Sequence, residues 1–376
     1  MIASAVTPAA DAQTSDPAAD TIRIASFNAN LNRKGAGVLI QDIAQRDPQV
    51  LAVAEIILRA RPDILLINEI DHDDTGIAVD AFQALLAEGL GDVPGQDFAH
   101  THIGPMNTGV PSGFDLDGDG KIMGARDAKG FGRFPGQYGM AVLSRFPLGP
   151  ARDFHTLPWS AVPWADPPKN PDGSLYYSDE AWAVLPLSSK SHWDLAVTLP
   201  NGRVLHLLAS HPTPPVFDGP EDRNGLRNAA EIGFWTDYID GADWMTDTAG
   251  RRGGLGQDAA FVILGDLNAD PRDGDGDNTT IAALLAHPRV IDPLPNSAGA
   301  AEVGDPTDTA DWPEANGPGN LRVDYVLPSR GLKLRGSGVF WPRSSDPLAR
   351  LVGTKGRNQI SSDHRLVWID IARGAE

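Results

Sequence analysis

Several acids, amides and histidines in this chain stand where apolar runs stop. The alternating, β-branched segment from Thr21 to Phe27 meets Asn28, and the run Ile64-Leu65-Leu66-Ile67 ends at Asn68-Glu69. The segment from Val204 to Ala209 runs into Ser210-His211, and Phe261-Val262-Ile263-Leu264 ends at Gly265-Asp266, with Asn268 two places on. Asp324 lies within the apolar stretch 321–327, and Asp363-His364 precedes the stretch 366–371. If these ends meet on one rim, that rim carries carboxylates, amides and two imidazoles. Such an oxygen-rich set suits Mg²⁺, Mn²⁺ or Ca²⁺ rather than copper or a structural zinc, and the histidines leave a catalytic zinc open.

The same residue types suit hydrolysis of an anionic ester. A divalent cation screens the ester's oxygens. A carboxylate beside water can take its proton or hold its lone pair in line. An imidazole donates to developing negative charge, and Asn adds donors without adding charge. Taken singly, each residue has a plainer role. Glu69 and Asp266 can cap turns or helices after strands, and His211 can be a turn residue before Pro212. Asp324 can be a strand-edge carboxylate paired with Arg322.

The elements that must position these residues follow from periodicity. Helical spacing covers about 47–61, with Val50, Val53, Ala54, Ile57 and Leu58 on one face and Pro62 as the stop. Further helices are expected over 77–90, 226–239 and 281–287. The run 64–67 has the length of a strand buried on both faces. Strands are also expected at 140–144, 193–198, 204–209, 261–264, 321–327, 332–341 and 366–371. The first strand is expected to end at Phe27, with Asn28-Ala29-Asn30 as a polar turn. Residues 99–137, dense in Gly and Asp, and 157–190, rich in Pro and Trp, read as loop insertions. Repeats and heptads are absent from the sequence. The pattern predicts two sheets packed face to face with helices outside.

Six segments in this order resemble the motif series of the endonuclease/exonuclease/phosphatase, or DNase I-like, superfamily. They are Ser26-Phe27-Asn28, Asp63-Ile64-Leu65-Leu66-Ile67-Asn68-Glu69, Ser210-His211-Pro212, Gly265-Asp266-Leu267-Asn268-Ala269-Asp270, Val323-Asp324-Tyr325-Val326 and Ser362-Asp363-His364. The resemblance runs from about residue 21 to 373. It implies an α/β (α+β) four-layer sandwich: two mostly antiparallel sheets flanked by helices, as one domain over 21–373. It also implies a divalent-metal-dependent phosphoester hydrolase using in-line attack by water without a covalent intermediate.

By the same resemblance Glu69 binds metal, Asn28 positions metal or phosphate, and Asp363 supports the site or its metal. Asp266 orients or activates the water, and Asn268 contacts the scissile phosphate. His211 assists the phosphate or leaving oxygen, His364 sits at the phosphate, and Asp324 orients one of the histidines. Tyr138 stands where the family often has a site tyrosine. The glutamate that would pair with His211 in that motif is missing, a departure from a close DNase I-like mechanism.

Other polar clusters lie outside the series. Arg223 or Arg227 can clamp a phosphate through the planar guanidinium, with Asn224 beside them, or Asp222 or Asn224 can cap the following helix while the arginines pair with acids. His192 and Asp194 alternate on a strand and face one side, as substrate contacts or ordinary strand polarity. Asp115, Asp117 and Asp119 have the D-x-D-x-D-G spacing of a calcium loop, although Arg126 occupies its twelfth position and flanking helices are not evident. Asp273, Asp275 and Asp277 repeat the alternation. Structural Ca²⁺ and a solvated acidic loop are the two readings of each.

Composition narrows the rest. The 376-residue chain carries a net charge of −19. This disfavours a nucleic-acid partner held by a broad basic surface, but it leaves room for an enzyme that meets its substrate through bound cations. With no cysteine, disulfide and thiol chemistry are excluded. No apolar run reaches the roughly 18 residues of a membrane span. Residues 1–20, rich in Ala, Thr, Ser, Pro and Asp, read as the disordered tail of a mature exported protein, secreted or periplasmic, or as a leftover of expression. The leading expectation is a secreted phosphodiesterase or phosphatase for small phosphoesters, with Mg²⁺ or Mn²⁺ at the site and Ca²⁺ as an alternative there. An extracellular DNase I-like nuclease is the alternative, and a calcium-dependent, non-catalytic binding protein the third reading.

Overall fold

The computed structural model describes residues 17–18, 20–313, 315, 317–353 and 359–374. Apart from residues 17, 18 and 20, the expected N-terminal tail lies outside them.

Eleven strands form among the described residues: β1 (Thr21–Leu31), β2 (Ile64–Ile70), β3 (His100–His102), β4 (Met140–Ser144), β5 (Leu148–Asp153), β6 (His192–Thr198), β7 (Val204–Ser210), β8 (Phe261–Asp266), β9 (Asp324–Pro328), β10 (Leu334–Val339) and β11 (Val367–Ala372). They make a six-stranded sheet ordered β10-β11-β1-β2-β4-β3 and a five-stranded sheet ordered β5-β6-β7-β8-β9. The helices are α1 (Val38–Ala44), α2 (Pro48–Ala60), α3 (Ile77–Glu88), α4 (Asp179–Val184), α5 (Arg223–Ile239), α6 (Asn278–Leu285), α7 (Ala300–Val303) and α8 (Ala349–Val352).

Period-two alternation sorts the five-stranded sheet. Leu205, Leu207 and Ala209 of β7, Val262 and Leu264 of β8, and Val326 of β9 join the core shared with the other sheet and with α1, α2 and α3. Their neighbours Leu208, Phe261, Ile263, Tyr325 and Leu327 join a second core under α5 and α6. The result is helix, sheet, sheet, helix, the four layers expected from the resemblance. Asp47 starts α2 by accepting from the N–H groups of Gln49 and Val50, with Pro48 at the first helical position.

Each sheet contains one parallel pair, β1 with β2 and β7 with β8; all other neighbours are antiparallel. Parallel strands need a crossover, supplied by α1–α2 in one case and α5 in the other. Parallel pairing sets carboxyl ends side by side, so the ends of β1 and β2 lie together, as do those of β7 and β8. These are the ends that carry Asn28, Glu69, His211 and Asp266.

Two local expectations differ from the structure. Strand β1 does not stop at Phe27 but continues to Leu31 with Asn28 buried. Neighbouring carboxylates satisfy the Asn28 amide, so it needs no solvent, and the irregularity comes later, where pairing with β2 shifts register between Asn28 and Leu31. The apolar stretch 321–327 enters the sheet only at Asp324, with its preceding residues in a satellite cluster around Ala310. The insertions 99–137 and 157–190 are irregular over most of their length yet packed: Leu116, Trp159, Val162, Leu185 and Leu187 are buried in the second core.

Candidate active site

The rim gathers the six motifs. Asp266, at the end of β8, opposes Asp324 of β9 in the antiparallel register. Its N–H donates 3.1 Å to Asn68 Oδ1 of the other sheet, and its Oδ2 accepts from Asn28 Nδ2 at 3.0 Å. The same Asn28 amide reaches Glu69 Oε1 at 3.2 Å, while Asn28 Oδ1 accepts from the Asn30 N–H. Asn28 is therefore a donor bridge between two carboxylates, with its oxygen engaged elsewhere. Ser362 Oγ donates to the Asn28 carbonyl at 2.7 Å and brings in the Asp363-His364 turn.

Backbone geometry at the site is unusual. Glu69, Tyr138 and Asn268 have φ of 59°, 56° and 53°. Left-handed residues of this kind cost of the order of 1–3 kcal/mol unless their surroundings hold them, Asn being the cheaper case. Glu69 is held by Asn28 and Asn32, Tyr138 by its N–H on Asp71, and Asn268 by its N–H on Asp266 Oδ1 and its Nδ2 on the Pro212 carbonyl. Gly265 is required for a separate reason: a Cβ there would lie 2.0 Å from the Ser210 carbonyl oxygen on β7.

Two histidines flank Asp266, and their surroundings push their pKa values in opposite directions. His211 Nε2 lies 3.4 Å and His364 Nε2 3.7 Å from Asp266 Oδ2. Burial, then the Lys190 charge, pushes His211 down to about 4, so its imidazole is neutral. For His364, burial opposes the charge, but the Asp324 and Asp266 carboxylates outweigh it and hold the proton well above the ordinary histidine range. Against its own burial, Asp266 is held well below the usual carboxylate range by His364, by His211 and by the Asn28 hydrogen bond.

Asp324 Oδ2 accepts from His364 Nδ1 at 2.9 Å and from Thr309 Oγ1 at 2.8 Å. Arg322 is not its partner, being paired with Asp292 at 2.5 Å. His364 is thus the oriented histidine. His211 Nδ1 is buried without a hydrogen-bond partner among the described residues, in line with the missing glutamate.

Glu69 and Asp363 form the oxygen-rich side. Burial, then the Asp363 carboxylate, pushes Glu69 up, as expected where like charges face each other with too little positive charge between them. Asp324 Oδ1 is buried and lacks a hydrogen-bond partner among the described residues. This donor set fits a hard divalent cation. Ligand atoms of Asp266, Asp324 and His364 also lie within 4.8 Å of one another, with His364 Nδ1 already committed to Asp324.

Other expected residues lie elsewhere in the hydrogen-bond network. His192 is fully buried, with Nδ1 on Ser188 Oγ and Nε2 on the Glu231 carbonyl, so it is a core residue and not a substrate contact. Arg223 pairs with Glu221 and lies over the Tyr176 ring. Asn224 donates to the Val216 carbonyl, and Arg227 to the carbonyls of Leu187, Lys129 and Pro186. These three hold loops together. Asp222 stands at the α5 N-cap without a side-chain cap bond. Burial, then the Glu69 charge, pushes the Tyr138 phenol up.

In the first acidic loop Asp119 turns to Lys121, and buried Asp127 takes its place beside Asp115 and Asp117. In the second, Asp277 caps α6, while Asp273 and Asp275 are exposed.

Asn32, Trp312 and Thr309, which the sequence did not single out, belong to this neighbourhood, as does Lys190 of the polar-aromatic run Lys190-Ser191-His192-Trp193-Asp194. Asn32 donates to Glu69 Oε2 at 2.8 Å, and the alternation Asn28, Asn30, Asn32 was its signal. Trp312 donates to Asp363 Oδ2 at 2.8 Å and meets the His364 ring edge-on at 5.2 Å. Thr309 anchors Asp324. Lys190, buried to 6 % exposure, feels the charges of Glu69 and Asp266.

The Endonuclease/Exonuclease/phosphatase family matches residues 25–364. The chain belongs to that family. It is therefore a hydrolase of phosphoester bonds. Among solved structures it is similar to an endonuclease/exonuclease/phosphatase from Beutenbergia cavernae DSM 12333, with 18 % identity and a TM-score of 0.54 over 95 % of this chain and 72 % of that one. It is also similar to a beta toxin from Staphylococcus aureus, with 14 % identity and a TM-score of 0.50 over 93 % and 99 % of the two chains. A mannosyl-6-phosphatase of Bacteroides thetaiotaomicron follows at 13 % identity and a TM-score of 0.48, over 93 % and 99 %. No curated protein matches the chain. At these identities the likeness is one of fold.

Proposed function

We propose that the chain is an exported phosphodiesterase or phosphatase for small phosphoesters, using Mg²⁺ or Mn²⁺ held by Glu69 and Asp363. The observation that carries this reading is the position of Asp266, whose Oδ2 lies 3.4 Å from His211 Nε2 on one flank and 3.7 Å from His364 Nε2 on the other. When bound, the cation screens the non-bridging oxygens and steadies the leaving oxygen. Asp266 accepts a hydrogen bond from water and aims its lone pair at phosphorus, opposite the leaving oxygen. As the new P–O bond forms and the old one breaks, the water proton passes to Asp266, and the His364 Nε2 proton passes to the leaving oxygen. Solvent exchange restores both groups. Asn268 and Lys190 face the phosphate charge, and Tyr138 borders the substrate beside Glu69.

The net charge of −19 supports a small ester over a long polyanion. Export rests on the composition of residues 1–20. The test is hydrolysis of bis-p-nitrophenyl phosphate, p-nitrophenyl phosphate and plasmid DNA, each after EDTA and after adding back Mg²⁺, Mn²⁺ or Ca²⁺. Metal-restored cleavage of the small esters with intact plasmid is the expected result. Plasmid cleavage would replace this reading with the nuclease.

A further inference from the structure

Glu231 has no part in the chemistry above, yet it is a fully buried carboxylate. It lies on α5 one turn beyond Arg227 and Asn228, which are also buried. Arg227 and Asn228 donate to loop carbonyls: Arg227 to Leu187, Lys129 and Pro186, and Asn228 to Thr213 and Leu267. Glu231 instead accepts, and its two oxygens go to different segments. Oε1 takes the Ser189 N–H at 2.6 Å and the Ser189 hydroxyl at 3.0 Å. Oε2 takes the Thr213 N–H at 2.7 Å.

Those segments carry Lys190 and His211. Asn107 holds the first from its other side, accepting at its carbonyl from Gly130 N–H, donating its own N–H to the Lys190 carbonyl and its amide to the Ser188 carbonyl. Contact there is close: a Cβ on Gly130 would lie 1.8 Å from the Ser189 oxygen. Lys190 Nζ reaches the Pro212 carbonyl at 3.4 Å, so the ammonium lies against the backbone that follows His211.

Only a carboxylate matches this arrangement. Three donors converge on the Glu231 head group, and the amide end of a glutamine would meet one of them donor to donor. A buried carboxylate is tolerated when cations accompany it, and Lys190 and Arg227 are those cations.

We propose that Glu231 is a positioning residue for the phosphoester site: by bridging Ser189 and Thr213 it fixes the Lys190 ammonium beside His211 and Asp266. Lys190 is then a phosphate-facing cation whose placement depends on α5. The inference rests on the hydrolase reading of the site.

The test uses the full chain with E231Q, K190A and the double variant. Turnover of bis-p-nitrophenyl phosphate at saturating metal, inorganic phosphate affinity by calorimetry, and the thermal midpoint are measured in parallel. E231Q is expected to lower kcat 10- to 100-fold, with KM changed less than threefold, and to weaken phosphate about tenfold. The double variant is expected to fall no more than about twofold below K190A, because both changes remove one ammonium contact. A lowered midpoint with kcat and phosphate affinity unchanged would overturn the proposal, as would losses that multiply in the double variant.

If E231Q does not fold, Ser189→Ala removes one of the three donors. A three- to tenfold loss of kcat is then expected, and none would overturn the proposal. Absence of turnover in the unaltered chain would count against the hydrolase reading alone, and the phosphate measurement would still decide the role of Glu231.

Discussion

His364 Nδ1 lies 2.9 Å from Asp324 Oδ2, with both side chains buried, and this one bond leaves Nε2 facing Asp266. Asp324 is to His364 what a missing glutamate would have been to His211. The consequence is one oriented, charged imidazole and one neutral imidazole, on opposite flanks of the same aspartate.

Asp324→Asn removes the charge that most supports the His364 proton. Turnover is expected to fall about 10²–10⁴-fold, the range for loss of a positioned proton donor. The residual activity should lose its alkaline limb at lower pH than the unaltered enzyme, because the donor form now ends sooner. A pH–rate profile of kcat with a small phosphodiester measures this. An unmoved alkaline limb would remove His364 as the donor.

Asp266→Asn keeps the size of the side chain and removes the acceptor. A loss of turnover of at least about 10³-fold is expected, with the fold retained in circular dichroism. Unchanged turnover would end the proposed role of Asp266 at the water.

Metal addition should raise the thermal midpoint, since an ion that binds only the folded state stabilises it by mass action, by about 2.7 kcal/mol at a hundredfold excess over Kd. Glu69→Gln should abolish that rise by deleting one carboxylate of the Glu69–Asp363 pair. Differential scanning calorimetry with and without Mg²⁺ or Mn²⁺ reads it directly, without any substrate.

Acid should destabilise the chain through His211. Its folded pKa of about 4 lies below the unfolded value near 6.5. Above pH 6.5 the imidazole is neutral in both states and contributes nothing. As pH falls from 6.5 toward 4, the unfolded chain takes up a proton that the folded chain refuses, a penalty that grows to roughly 3 kcal/mol. His211→Gln should lose that part of the pH dependence. His192, also pushed down to about 4 by burial, should retain its own share. Urea unfolding at pH 5 and pH 7.5 gives the comparison, and equal pH sensitivity of the two proteins would contradict it.

Arg227→Ala is expected to lower stability by about 3–5 kcal/mol, because it leaves buried carbonyls of Leu187, Lys129 and Pro186 without their donor. KM for substrate should change little in the folded fraction. A large rise in KM at unchanged stability would restore Arg227 as a phosphate clamp.

The sequence by itself determined which chemistry was available. Polar residues at the ends of apolar runs marked Asn28, Glu69, His211, Asp266 and Asp363-His364, although Asn28 lies inside β1 and, like His211 and Asp266, is buried. Period and capping, both local properties, located α2 and the inner strands of both sheets. Partnership is not local. Asp324 and Arg322 are neighbours in the chain, but the antiparallel register of β8 and β9 and the turn at Ser362 gave Asp324 to His364, while Asp292 took Arg322. His192 looked like a substrate contact until α5 covered it. The spacing of Asp115, Asp117 and Asp119 did not show that Asp127 stands beside the first two while Asp119 pairs with Lys121. The placement of Lys190 was not legible in spacing, because Ser189 and Thr213 converge on Glu231 only once α5 has been laid between β7 and β8. The two parallel crossovers, one in each sheet, set the ends of β1 and β2 and of β7 and β8 side by side, and the antiparallel register of β8 with β9 and the Ser362 turn brought the remaining site residues to the same rim.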